Sequence, residues 1–434
     1  MSLFEDLSWR GLIAHSTDPE ALRKDLDDNK ISFYVGFDPT APSLHMGNLL
    51  QLILVRRMQA AGHTPYLLVG GSTGLIGDPR QSSERNLNPT QLVHSWGEKI
   101  HSQVSRFVSF EGDNAAKVVN NYDWTKDLTT LDFLRDIGKH FSINRMLDRE
   151  VVRTRLESGI SYTEFSYVLL QSMDYLELHR RYDVMLQTGG SDQWGNITAG
   201  VDLIRRATGD KVHALATPLV VKADGTKYGK TESGTIWLDP LMTSPYAFHQ
   251  FFLNAEDSMV TSYLKLFTQR TCEEIEQLEC QTRYEPHLRA AQRALADDLT
   301  DLVHSVSDRE AATQAAKAIF GQAELADLDA GTLTSVATEL SAGQVEELGE
   351  LTVLDACEKS GVFDSRGAVR RAVKEGGAYL NNLRVTDVER PLTPQDLLAG
   401  NVMIIRRGKK TVGAIQVGSP KRDNSSTAPQ STVE

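Results

Sequence analysis

One stretch constrains the fold more than any other: residues 33–71, FYVGFDPTAPSLHMGNLLQLILVRRMQAAGHTPYLLVGG. An apolar run of strand length, ISFYVGF at 31–37, gives way to a short polar loop. Leu49, Leu50, Leu52, Ile53, Val55 and Met58 follow in a helical run that starts at or just after Gly47, and Gly62 supplies a stop. A second apolar run, PYLLVGG, closes the segment. Strand, helix and strand in that order imply parallel pairing through a crossover helix. Two further runs, DVMLQTGG at 183–190 and ALATPLVVK at 214–222, carry the alternation to about residue 240.

In such a sheet, strand ends and the next helix's N-terminus share one edge, where unpaired N–H groups and the helix dipole attract anions. Neither common phosphate fingerprint is present. GGSTGLIGD at 70–78 lacks the Gly-Lys-Ser/Thr ending of a P-loop and is not G-x-G-x-x-G. The loop before the helix instead offers Thr40, His45 and Asn48, neutral groups able to donate to phosphate oxygens. The competing reading makes His45 a helix cap. Gly47 favours a ligand, because a missing side chain lets one approach the helix closely.

The 434 residues exceed what one core usually organises, so several domains are expected. The reading is an α/β Rossmann-like parallel-sheet catalytic domain over 1–240, an α-helical domain over 241–320, a linker over 321–350, a small α+β module over 351–417 and a disordered tail over 418–434. The net charge of −12 argues against a protein that coats nucleic acid, but the charge is uneven. Residues 321–350 hold seven acidic residues and no Lys or Arg, whereas 352–417 hold 11 basic against 7 acidic ones. Cys272, Cys280 and Cys357 show no metal spacing, which suits a reducing cytoplasm. No apolar run approaches the roughly 20 residues that span a bilayer.

A second motif lies at 227–231, Lys-Tyr-Gly-Lys-Thr: two lysines three apart in a glycine-containing loop suit closure over phosphates. A solvated hairpin tip is the plainer alternative. In YTEFSYVLLQSMDYLELHRR, which Ser161 or Thr163 can cap, Tyr167, Gln171 and Asp174 fall on one helix face. That stripe is either the wall of a polar pocket or an exposed amphipathic face.

His-Met-Gly-Asn and Lys-Tyr-Gly-Lys-Thr, in that order and widely separated, resemble the two signature sequences of the class I aminoacyl-tRNA synthetases. Asn48 stands where the first signature usually has a second histidine, so a charged role there is not expected. Tyr34, the DPTAPSLHMGN loop, the Tyr167–Tyr175 pattern YVLLQSMDY, LQTGGSDQWGN at 186–196 and KYGKT narrow the resemblance to the bacterial tyrosyl-tRNA synthetases, from the N-terminus to about Val417. The resemblance implies that Tyr34 and Asp174 bond the phenol of L-tyrosine, that Asp78, Tyr167 and Gln171 hold its ammonium group, and that Gln187 lies near its carboxylate. Asp38, Gly47, Gly190, Asp192 and Gln193 would bind ATP, with Lys230. Thr40, His45, Asn48, Lys227, Lys230 and Thr231 would serve catalysis at the leaving pyrophosphate. Asp192 could instead cap a helix, and Gln187 could be an ordinary strand residue.

The implied chemistry is activation of L-tyrosine by ATP, then transfer to the 3′ end of its tRNA. Magnesium would accompany ATP without a dedicated protein metal site. A carboxylate is already a nucleophile at pH 7, so positioning and charge stabilisation suffice. Buried partners for a phenol hydroxyl are left unpaired by phenylalanine; the tyrosyl enzymes are themselves the standard instance of such rejection without editing. No inserted editing domain is evident. The resemblance also implies a homodimer and anticodon contacts from 241–320. The final module is similar to a small RNA-binding fold, with Arg366, Arg370, Arg371, Lys374, Arg406 and Arg407 expected to meet phosphates. A tryptophan-specific relative and a non-catalytic RNA-binding derivative are the rival readings; Tyr34 with Asp174 argues against the first, and the intact signatures against the second.

Overall fold

The structure is a computed structural model describing residues 1–79, 87–231, 234–409 and 411–418, with the side chains of Lys230 and Thr231 outside that description. From residue 419 on, the expected disordered tail also lies outside the described residues. The chain forms two compact units, Met1–Thr243 with Phe252–Val303, and Ser244–Phe251 with His304–Glu434.

The first unit is built on a six-stranded sheet. Its strands are β1 (His15–Ser16), β2 (Ser32–Phe37), β3 (Thr64–Val69), β4 (Lys117–Asn120), β5 (Val184–Gly190) and β6 (His213–Thr217), in the order β1-β6-β5-β2-β3-β4. All neighbours are parallel except β1, which runs antiparallel to β6. The inner strands are buried along nearly their whole length, as expected of a parallel sheet covered on both faces. β1 and β4 escape a reading based on apolar runs: one has two residues, and the other is half-buried Lys-Val-Val-Asn.

The Met46–Ala60 helix buries Met46, Leu49, Leu50, Leu52, Ile53, Leu54, Val55 and Met58, so nearly its whole circumference is inside. Each such side chain contributes roughly 1.5–3 kcal/mol, and truncating one of the leucines to alanine costs about 2–5 kcal/mol. Chain order runs from β2 outward to β3 and β4, then returns to β5 on the other side of β2. That reversal leaves a crevice at the strands' carboxyl ends, the usual ligand position in open α/β sheets.

The helices expected to form one domain over 241–320 are divided. Val260–Phe267, Cys272–Tyr284 and Ala290–Val303 belong to the first unit, and Val306–Ile319 to the second. Arg10 helps hold the first group, donating to the carbonyls of Thr268 at 3.3 Å and Arg270 at 2.6 Å.

The second unit also departs from expectation. Residues 321–350 are not a spacer. They contain the Ala330–Glu339 helix and strand β9 (Gly343–Val345), numbered after a ribbon of β7 (Lys230–Thr231) and β8 (Gly234–Thr235) in the first unit. The acidic count conceals Leu325, Leu328, Leu333, Val336 and Ala337, all buried. β9 runs parallel to β13 (Thr411–Val417) at one edge of a sheet completed by β10 (Ala378–Leu380), β11 (Leu383–Arg384) and β12 (Val402–Arg407), in the order β11-β10-β12-β13-β9. Alternate residues of β12 serve two cores. Met403 and Ile405 join the Val353–Lys359 and Arg366–Lys374 helices, while Val402 and Ile404 join the Val306–Ile319 and Ala330–Glu339 helices.

Candidate active site

A cavity of about 490 Å³ opens at the carboxyl ends of β2, β5 and β6. Its lining includes Tyr34, Asp38, Thr40, His45, Gly47, Asn48, Asp78, Tyr167, Gln171, Asp174, Gln187, Gly190, Asp192, Gln193 and Lys227. The structure therefore brings together every expected site residue of this unit whose side chain it describes. Lys230 and Thr231 are followed through their backbone alone, which pairs with Thr235 and Gly234.

At one end, Tyr34 lies opposite Gln187 in the β2–β5 register, and its ring packs on that of Tyr175 at 5.2 Å between centroids. Tyr34 is 1 % exposed, yet its hydroxyl has no hydrogen-bond partner among the described residues. Burial, then the Asp174 charge, pushes that hydroxyl's pKa well above its ordinary value. Asp174 is equally buried. It accepts from Asn121 Nδ2 at 2.9 Å and Trp124 Nε1 at 2.8 Å. Burial raises its carboxyl to about 7 despite these donors. Gln187 Oε1 is also buried without a hydrogen-bond partner among the described residues.

Further along, the Tyr167 hydroxyl donates to Asp38 Oδ2 at 2.7 Å and Thr73 Oγ1 donates to Asp38 Oδ1 at 2.6 Å. Asp78 accepts from Gln193 Nε2 at 2.7 Å and Asn196 Nδ2 at 3.1 Å. Asn196 Nδ2 also meets Gln171 Oε1 at 3.1 Å, and Arg149 donates to Asn196 Oδ1. Burial lowers the Arg149 guanidinium, with the Asp78 charge opposing. Such a wall, rich in carboxylate and amide oxygens, suits a cation of ammonium size.

At the other end, His45 is the N-cap of the Met46–Ala60 helix. Its Nδ1 accepts from the Gly47 N–H at 3.0 Å, while Asn48 Oδ1 accepts from the His45 N–H at 3.1 Å. The cap reading and the site reading thus hold for the same residue. Gly47, which lines the cavity, also has little room for a side chain: a Cβ there would lie 2.8 Å from His45 Cε1. Asp192, by contrast, caps nothing; neither the Ser191–Gln193 turn nor the Trp194–Ala207 helix has a side-chain cap bond.

The lysine hairpin is tied to this helix start by its backbone. The Met46 N–H donates to the Ile236 carbonyl at 3.0 Å, the Leu238 N–H to the Leu44 carbonyl at 2.9 Å, and the Ile236 N–H to the Gly229 carbonyl at 2.9 Å. Gly229 has φ of +92°, and a Cβ there would come within 2.5 Å of Met46 Cβ. Lys227 stands exposed at the cavity mouth.

Sequence reasoning missed Thr73, Asn121, Trp124, Arg149 and Asn196. Asn196 ends the quoted LQTGGSDQWGN run and was within reach. Asn121 and Trp124 come from a turn after β4, a strand without an apolar signal, and only the fold brings them to Asp174.

In the second unit the expected basic residues divide. Arg366 pairs with Asp355 at 2.7 Å and Glu358 at 2.9 Å, and Arg370 with Glu389 at 2.9 Å. These pairs are exposed, hence worth little and exchangeable. Arg371, Lys374 and Arg407 are exposed with no ion pair among the described residues. Arg406 corrects the expectation. It is only 8 % exposed, lies 4.0 Å from the Tyr379 ring centroid and donates to Asn382 Oδ1 and the Gly408 carbonyl, so it serves packing.

Comparison with known proteins agrees with this layout. The family model "tRNA synthetases class I (W and Y)" matches residues 26–321, and a "Tyrosine--tRNA ligase SYY-like C-terminal domain" matches 335–414. A curated tyrosine--tRNA ligase of Cutibacterium acnes is 62% identical over 95% of this chain and 99% of its own length. One from Streptomyces coelicolor is 54% identical over 96% and 99%. Among solved structures, a C-terminally truncated Aspergillus nidulans mitochondrial tyrosyl-tRNA synthetase is 30% identical with a TM-score of 0.65, covering 72% of this chain and 92% of that one. With a family model spanning more than half its length and a 62% identical relative matched almost end to end, the chain belongs to the class I tRNA synthetases of the W and Y type.

Proposed function

We propose that this chain is a tyrosine–tRNA ligase, which activates L-tyrosine with ATP to tyrosyl-adenylate and pyrophosphate, then transfers the tyrosyl group to its tRNA. The observation that carries the reading is the pairing of Tyr34, whose buried hydroxyl has no hydrogen-bond partner among the described residues, with Asp174 on one cavity. A phenol can donate to the Asp174 carboxylate and accept from Tyr34. Phenylalanine does neither: it gives the buried Tyr34 hydroxyl no partner and the buried Asp174 carboxyl nothing beyond Asn121 and Trp124.

In the first step a carboxylate oxygen of tyrosine bonds to the α-phosphorus as the bond to the β-phosphate bridge breaks. Asp78, Tyr167 and Gln171 hold the ammonium group, and Gln187 lies toward the carboxylate. Asp38, Gly190, Asp192 and Gln193 take the ribose and α-phosphate side. Thr40, His45, Lys227, Lys230 and Thr231 stabilise the departing pyrophosphate, and Asn48 fixes His45 through their shared cap. Magnesium enters as the counter-ion of ATP. Protein donors already engage Asp38, Asp78 and Asp174, which supports assigning the ion to the nucleotide. In the second step a terminal ribose hydroxyl of tRNA attacks the adenylate carbonyl and AMP leaves.

We assign phosphate contacts of the tRNA to Arg371, Lys374 and Arg407, with Arg366 and Arg370 exchanging carboxylates for phosphates. We assign a homodimer to the first unit. Exposed Leu131, Leu134, Ile143 and Leu156 are the apolar set a second copy would cover. The unpaired Cys272, Cys280 and Cys357 support a cytoplasmic setting. ATP–pyrophosphate exchange with tyrosine and phenylalanine tests the central reading. Strong exchange with tyrosine and little with phenylalanine is expected; exchange driven by another amino acid, or by none, overturns it.

A further inference from the structure

Five side chains around the cavity form one hydrogen-bonded chain with a fixed direction. Asn121 Oδ1 accepts from the Ser72 N–H at 2.7 Å, so its Nδ2 points the other way. Nδ2 then donates to both Asp174 Oδ2 and Thr73 Oγ1, each at 2.9 Å. Thr73 passes its own hydrogen to Asp38 Oδ1, and Tyr167 donates to the second Asp38 oxygen. Both carboxylates, Asp174 at one end and Asp38 next to the Tyr167 end, receive hydrogen bonds from this chain. Thr73, 3 % exposed, is the member that receives from one neighbour and gives to the other. The backbone makes room for it: a Cβ at Gly70 would lie 2.4 Å from Thr73 Oγ1 and 2.0 Å from Asp38 Oδ1.

We propose that Thr73 is a positioning residue coupling the two ends of the amino-acid pocket. Through Asn121 it holds Asp174 ready to accept from a phenol, and through its own hydroxyl it holds Asp38 on the reacting side. This rests on the tyrosine–tRNA ligase reading and adds to it a route by which recognition of the side chain shares one anchor with the reacting end. A valine at 73 gives Asn121 no acceptor and Asp38 no donor. Asn121 Nδ2 then keeps Asp174 but loses the Thr73 oxygen that helps fix its amide, and Asp38 loses the Thr73 donor. Phenylalanine carries no phenol, so it feels the second loss and not the first.

The test is ATP–pyrophosphate exchange on the full chain with tyrosine and with phenylalanine, for the parent, Thr73→Val, Thr73→Ser and Thr73→Ala. Thr73→Val is expected to lower kcat/KM for tyrosine by about tenfold or more, mainly through KM. It also lowers the tyrosine-to-phenylalanine preference by about tenfold, ~1.4 kcal/mol. Thr73→Ser, which keeps the hydroxyl, recovers most of that preference. Serine and alanine differ by one oxygen, so that pair carries the test if valine is not accommodated. Equal losses for the two amino acids, or a preference that does not follow the hydroxyl, overturn the coupling. A parent without tyrosine-dependent exchange overturns the ligase reading instead.

Discussion

Replacing Asp174 by asparagine sets stability against recognition, and the structure says which way each moves. The carboxyl is raised from 3.8 to about 7 by burial, only partly offset by Asn121 and Trp124. Because the folded-state value is raised, the folded protein keeps this proton across the window from about 4 to 7. The stability it confers falls away as pH rises through 7. Above that pH the buried carboxylate burdens the fold by roughly 4 kcal/mol. Asparagine removes the charge but offers one acceptor oxygen to two buried donors, and the one left over costs about 1–3 kcal/mol. At pH 8 the variant is therefore expected to be no less stable than the parent, and more stable by up to about 3 kcal/mol, a rise of several degrees in Tm. At pH 5 the advantage disappears. Tyrosine activation moves the other way: a neutral amide committed to one donor is a poor acceptor for the phenol, and kcat/KM falls by about 10² or more. Paired melting curves at pH 5 and 8, with pyrophosphate exchange at pH 8, measure both quantities. A variant melting well below the parent at pH 8, or choosing tyrosine over phenylalanine as the parent does, would refute the reasoning.

Gly70→Ala forces a methyl into the space of the Asp38 carboxylate and should lower tyrosine activation by about tenfold or more, because the Thr73 and Tyr167 bonds are charge-assisted; single-turnover adenylate formation checks it. Gly229→Ala combines a positive φ with collision against Met46, and should slow adenylate formation far more than it alters tyrosine affinity, as read by rapid mixing against equilibrium binding. His63 is buried, donating from Nε2 to the Leu26 carbonyl at 3.2 Å and accepting at Nδ1 from Ile31, and burial lowers it to about 4. The unfolded chain thus takes up this proton first as pH falls below about 6.5, and stability declines by up to about 3 kcal/mol towards pH 4. His63→Gln should flatten that slope in acid melting curves.

Much of the site was legible because its chemistry is carried by short runs. The histidine loop, the lysine loop and the stripe of Tyr167, Gln171 and Asp174 each lie on one element, where period and spacing are visible. What stayed hidden is held by distant pieces of chain. Trp124 and Asn121 reach Asp174 only because β4 pairs beside β3, and Thr73 looks like an ordinary loop residue until Asp38 is beside it. The fold showed the same division. Long apolar strands announced themselves, while β1, β4 and β9 are too short or too polar to do so. Charge misled where counting replaced pattern: residues 321–350 are acidic on average but carry apolar residues at helical spacing, and Arg406 is basic yet stacked inside.

Neither compact unit is an unbroken piece of chain, since Ser244–Phe251 belongs with the residues after His304 while Phe252–Val303 returns to the first unit. A ribosome therefore releases the sheet of the first unit long before the three helices that complete it. It also emits one helix of the second unit about fifty residues ahead of that unit's other parts. If domains fold as units in order of synthesis, the first unit is completed only once Val303 has emerged, and Ser244–Phe251 waits for the residues after His304.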